Sequence, residues 1–214
     1  MHPLPMAQTV LAVLAATAAA QAPPQEPLSA ATSEPAWSFS ASAYTYFVPD
    51  DREYVQPTFT ADRDWLHLEL RYNYESLDTA SIWFGYNFSV GEEVTLEFTP
   101  MIGGVFGDVG GVAPGYKGTL AWQKLELYSE GEYVIDTSDH DDNFFYNWSE
   151  LTLAPADWFR FGIVTQRTRA YESDRDIQRG LLVGFSWKNV DLSAYVLNPD
   201  EDEPVFAFAF GFSF

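Results

Sequence analysis

The chain has 214 residues, with 31 acidic against 11 basic side chains for a formal charge of −20, 47% hydrophobic and 17% aromatic residues, and no cysteine. The missing cysteine excludes disulfide frameworks, thiolate metal sites and thiol nucleophiles, and the hydrophobic content excludes intrinsic disorder. No run reaches the roughly 20 apolar residues of a membrane helix, and so acidic a surface repels nucleic acid.

The first element is a processing signal. Residues 9–20, TVLAVLAATAAA, form an apolar run suited to the core of a signal peptide, followed by small-x-small cleavage sites at Ala18-Ala19-Ala20 and Ala20-Gln21-Ala22. The segment before it carries His2 but no Lys or Arg, a departure from the usual pattern. A signal peptide is therefore expected over 1–22, a flexible Pro-rich periplasmic leader over 23–36 and a folded domain over 37–214.

From Trp37 the chain alternates with period two. Trp37, Phe39, Ala41, Ala43 and Phe47 oppose Ser38, Ser40, Ser42, Tyr44 and Tyr46, and Leu66, Leu68 and Leu70 oppose His67, Glu69 and Arg71. The pattern continues through Ala80, Ile82, Phe84, Tyr86 and Phe88 and on to the end. No helical period follows residue 37, so the class is all-β. Turn signals give twelve strands, near 37–47, 54–61, 65–75, 79–90, 93–103, 115–122, 125–135, 144–154, 158–169, 177–187, 190–197 and 204–214, with the Gly-rich 103–115 taken as a loop. Gln123-Lys124 lacks every usual turn residue; without a turn there residues 116–135 form one very long strand and the count becomes uneven, and ten strands is the alternative to twelve.

Connections after strands 2, 4, 6, 8 and 10 are two or three residues long, and the others are mostly longer. Short turns on one side and long loops on the other are the asymmetry of a transmembrane barrel. A single-chain antiparallel transmembrane β-barrel is expected rather than a soluble sandwich. The last strand, VFAFAFGFSF, puts Phe206, Phe208, Phe210, Phe212 and Phe214 on one face. It resembles the assembly signal of bacterial outer-membrane β-barrel proteins, and the stretch from Trp83 onward is similar to an uncharacterised, porin-like proteobacterial barrel family. That resemblance implies recognition by the barrel-assembly machinery and a place among outer-membrane lipids and lipopolysaccharide.

Charge follows this topology. The six long connections (50–53, 75–78, 104–115, 136–143, 170–176 and 198–203) hold seventeen acids and two bases, a net −15; the leader holds −2, the short turns −2 and the strands about −1. A solvated outer rim accounts for this. Asp136, Asp139, Asp141, Asp142 and Asn143 lack the spacing of a calcium loop, so no metal or other cofactor is expected. Arg167, Arg169 and Arg179 share the outward face near the outer end, at the height of lipopolysaccharide phosphates.

Function is expected inside the barrel. Alternation turns Glu126, Tyr128, Glu130 and Glu132 inward, then Trp148 and Glu150, with Arg160 on the following strand and a polar ladder of His67, Glu69 and Arg71 farther round. The expected role is a small porin-like diffusion channel with a Glu-lined lumen. The alternatives are a plugged structural or adhesive barrel and a lipid hydrolase, but neither His67 nor His140 stands in a Ser/His pattern, so no catalytic residue is assigned.

Overall fold

The computed structural model describes residues 36–49, 52–137, 143–170 and 176–214; the signal peptide expected over 1–22, nearly all of the leader and His140 lie outside these. The strands are β1 (Ser38–Phe47), β2 (Tyr54–Arg63), β3 (Leu66–Tyr72), β4 (Thr79–Tyr86), β5 (Phe88–Val90), β6 (Val94–Gly107), β7 (Gly111–Trp122), β8 (Leu125–Asp136), β9 (Phe144–Ala156), β10 (Phe159–Ala170), β11 (Asp176–Trp187), β12 (Val190–Leu197) and β13 (Val205–Ser213). β4 and β5 are one arm interrupted at Asn87: Gly85 pairs Met101 and Phe88 pairs Phe98, so both lie in a single register against β6. The ring therefore has twelve strand positions, all antiparallel. β13 pairs β1 and β4 pairs β6, which leaves no open edge. Closure is what an apolar solvent demands, because every strand N–H and C=O must find a partner within the protein. The start of β1 and the end of β13 meet at the turn end, where Phe39 and Phe214 exchange two backbone hydrogen bonds of 2.9 Å.

The two faces sort by burial as the alternation requires. Along β1, Ser40, Ser42, Tyr44 and Tyr46 are buried inside, whereas Phe39, Ala41 and Ala43 face out. The exterior is a coat of exposed Leu, Ile, Val and Phe, which makes this a membrane barrel. Five of the seven tryptophans (Trp37, Trp65, Trp122, Trp158 and Trp187) are exposed at the turn end and form a girdle there. The other two, Trp83 and Trp148, are buried inside at 1% and 0% exposure.

The Gly-rich segment 103–115 is not a loop. β6 runs to Gly107 and β7 starts at Gly111, with only three residues between. Its glycines make room for a side chain: a Cβ at Gly103 would lie 2.5 Å from the Trp83 ring, and one at Gly115 would lie 3.0 Å from it. The segment looks like a loop by composition because its inner face is occupied from the neighbouring strand. A turn does form at Gln123-Lys124, with Gln123 at φ 55°, a conformation that Asp64 and Lys188 adopt in the equivalent turns.

Gly103→Ala should therefore lower the unfolding free energy by about 1–3 kcal/mol, the usual cost of overpacking. In a Trp83→Ala background the same change should be nearly neutral, a non-additivity that urea unfolding of the refolded barrel would measure.

Candidate functional site: the barrel interior

The interior is filled from opposite walls. Tyr44 on β1 meets Trp148 on β9 with ring centroids 6.2 Å apart, and Trp148 meets Tyr195 on β12 at 5.5 Å. Tyr74, just beyond β3, packs edge-on against Tyr146 on β9 at 5.5 Å. Edge-to-face rings of this kind add to what burial alone supplies. Val164, Leu182, Leu197 and Ala207 complete this cluster, and Trp83, Met101, Val105, Ala113 and Val134 form a second one.

Charged groups are threaded between the rings. Arg71 on β3 donates from Nε to Glu69 at 2.5 Å and reaches across the lumen from Nη1 to Glu132 on β8 at 2.7 Å. The same guanidinium lies 4.2 Å from the Tyr74 ring centroid and 4.4 Å from that of Trp83, an arrangement suited to a planar, delocalised cation. Lys117 on β7 donates to Glu69 and lies 3.8 Å from Glu130. Glu130 also accepts from the Tyr74 hydroxyl and, at 2.7 Å, from Tyr128. His67 sits between two carboxylates, Nδ1 2.7 Å from Asp62 and Nε2 3.0 Å from Glu69.

A second centre lies farther round. Arg160 on β10 binds Asp191 on β12 through both Nη atoms, at 2.6 and 2.8 Å, and donates to Ser193 at 2.7 Å. A Cβ at Gly184 would lie 2.6 Å from the Arg160 Cζ, so that glycine makes room for the guanidinium. Glu150 accepts from Trp148 Nε1 at 2.8 Å and from the Tyr195 hydroxyl at 3.0 Å.

Ten carboxylates face inward among the described residues: Asp62, Glu69, Glu75, Glu97, Glu126, Glu130, Glu132, Asp136, Glu150 and Asp191. They oppose Arg71, Lys117 and Arg160, so ten against three leaves −7 with His67 neutral. The near-neutral strand total hides part of this excess because it counts arginines that point outward, and Asp62, Glu75 and Asp136 come from the predicted connections rather than the strands. Two carboxylate oxygens, Glu75 Oε2 and Glu132 Oε1, have no hydrogen-bond partner among the described residues.

The structure thus brings Glu130, Glu132, His67, Glu69 and Arg71 into one contact network and joins Trp148 to Glu150. It places Arg160 in a separate pair, with Glu126 part-buried on the same inner face. Tyr195 and Asp191 also belong to the interior and share the inward parity of β12, so alternation makes them readable. The expected strand 65–75 stops at Tyr72: alternation carried to its end would turn Glu75 inward but Tyr74 outward with Leu66, Leu68 and Leu70, whereas both enter the lumen from the segment beyond β3. Arg167 points outward, 5.7 Å from the Phe145 ring, and Arg179 pairs with Asp200 at 3.3 Å with both side chains more than half exposed. The side chain of Arg169 lies outside the described residues. Phe206, Phe208, Phe210, Phe212 and Phe214 are exposed on the outer surface.

A ring of twelve antiparallel strand positions with a charged interior invites comparison with solved barrels. A KdgM porin superposes with a TM-score of 0.59 at 11% identity, over 82% of this chain and 99% of that one. The chain has the KdgM porin fold. A KdgM porin in complex with disordered oligogalacturonate superposes with a TM-score of 0.56 at 8% identity, over 83% of this chain and 99% of that one. No protein family matches the sequence, and no curated protein does either.

Arg160→Met strands Asp191 without its cation and should cost about 3 kcal/mol of stability. The double variant Arg160→Met/Asp191→Asn should regain part of that loss, read as a partial return of the unfolding midpoint in urea.

Proposed function

We propose that the protein is an outer-membrane, porin-like channel for small cations and uncharged solutes, held closed in this conformation by ring and ion-pair contacts across the lumen. The observation that carries this reading is the inner wall, where, among the described residues, ten carboxylates face three cations inside a ring with no open edge. Such a wall raises the local concentration of cations and repels anions. A polyanion such as oligogalacturonate, found with one of the structural neighbours, does not suit this interior.

In this reading residues 1–22 direct export, the Phe-rich β13 is the strand read by the assembly machinery, and Arg167, Arg169 and Arg179 face the phosphates of lipopolysaccharide. Channel activity also accounts for His67 without catalysis, because both of its ring nitrogens are engaged by carboxylates.

A second reading, a plugged structural barrel, is favoured by the complete burial of Trp148. One variant separates the two. In planar bilayers the unmodified barrel should give small, cation-selective steps, and Trp148→Ala should raise the unitary conductance severalfold. Silence from both proteins would support the plug, and anion selectivity would contradict the channel as proposed.

A further inference from the structure

The ten inward carboxylates are not alike. Seven hold hydrogen bonds or ion pairs, chiefly around Arg71 and Arg160, and Asp136 also has a partner. The unpartnered oxygens of Glu75 and Glu132 belong to side chains 0% and 3% exposed, shut off from solution. Glu97 and Glu126 differ on both counts. Among the described residues neither makes a hydrogen bond or ion pair, and both are half-buried. Glu97 is the fourth residue of β6 and Glu126 the second of β8, so both stand near the turn end.

β7 runs between them. Its Thr119 lies opposite Glu97 in the register, and its Ala121 lies opposite Glu126. Thr119 faces inward at 5% exposure, and its hydroxyl has no hydrogen-bond partner among the described residues. A buried hydroxyl left in that state is costly. Its lone pairs stand beside two acceptor-only carboxylates, a set that a cation satisfies and an anion does not. The inner face is lined by small residues toward this end, including Ser40, Ser42, Thr60, Ala121 and Gly211. On this wall the packed rings begin at Tyr128, the next inward residue of β8.

The described cations near this end are committed elsewhere. Arg160 is held by Asp191 and Ser193, and Lys117, the next inward residue of β7, donates to Glu69. Lys124 in the turn donates to the Pro155 carbonyl at 2.7 Å, and Arg63 and Lys188 lie over the outer rings of Trp37 and Trp187. Within electrostatic range of Glu126, Arg160 is outnumbered by Glu97, Glu150 and Asp191.

We propose that Glu97, Thr119 and Glu126 form a cation-binding site in a vestibule at the turn end, and that this site sets the selectivity of the channel. The second clause rests on the channel reading; the first does not. Among the described residues no three metal-ligating side chains converge, so the ion is held by charge, keeps water of its own and exchanges with solution. Acidic side chains lining a pore select cations in this way.

The absence of cysteine gives Ala121→Cys a unique thiol on the half-buried inner face of β7. The barrel in detergent is treated with a positively and a negatively charged methanethiosulfonate, each rate being divided by that for free mercaptoethanol. The cationic reagent should be favoured about tenfold, and Glu97→Gln/Glu126→Gln in the same background should reduce that preference to about twofold. Thr95→Cys, which faces Ala121 from β6, gives the same reading should A121C not fold. In bilayers, E97Q/E126Q should lower the cation-to-anion permeability ratio severalfold. No reaction at either position, equal reaction with both reagents, or a preference that survives the loss of both carboxylates would overturn the site. A permeability ratio unmoved by E97Q/E126Q would overturn its role in selectivity. A thiol preference that collapses as expected in a barrel that never conducts would uphold the site and remove only the channel reading.

Discussion

Arg71 is the point at which two walls of this barrel are held together. Its guanidinium is anchored to Glu69 on its own strand and to Glu132 on β8, and is clasped between the rings of Tyr74 and Trp83. A cation in so dry a setting is tolerable only when fully paired, and the surrounding sequence is arranged to pair it. Lys117 offsets part of the remaining negative charge on Glu69, and Tyr74 and Tyr128 satisfy Glu130. Trp83 can occupy its place because Gly103 and Gly115 leave the space. The interior is therefore not simply a small bore lined with large residues. It is a partition whose polar members depend on one another.

Much of this was legible in the sequence, for a physical reason. In lipid, a strand must put apolar groups outward along its whole length, so alternation is enforced strand after strand and survives without any homologue. The twelve strand positions, the inward parity of Glu130 and Trp148 and the outward parity of the Phe-rich β13 all follow from it. Where reading by composition failed, tertiary contact had overridden local preference. The glycines of 103–115 resemble a loop, yet they continue two strands, because Trp83 fills the space in front of them. The Gln123-Lys124 turn carries no signal because Gln123 simply takes φ 55° with two long strands closing on it. Tyr74 fails for another reason: alternation carried through 65–75 turns it outward, but β3 ends at Tyr72 and the segment beyond it folds into the lumen.

Charge is the property that the structure divides most sharply. The rim accounts for most of the −20, and the strands look almost neutral in sum. That sum conceals an acidic inner wall, which reaches −7 once Asp62, Glu75 and Asp136 from the predicted connections are included, and an outer surface bearing Arg167 and Arg179. The tryptophans divide in the same way, five into an interfacial girdle and two into the partition. One residue type thus serves anchoring and closure, according to the face and depth at which alternation places it.

The central claim is that the ion pair between Arg71 and Glu132 couples opposite walls. A double-mutant cycle tests it directly, using Arg71→Met, Glu132→Gln and the combined variant in reversible urea unfolding of the barrel in detergent. A cross-lumen bond should give a coupling energy of about 1–3 kcal/mol. Losses that simply add, to within about 0.5 kcal/mol, would mean that the two walls stand independently and that the partition is not held by this pair.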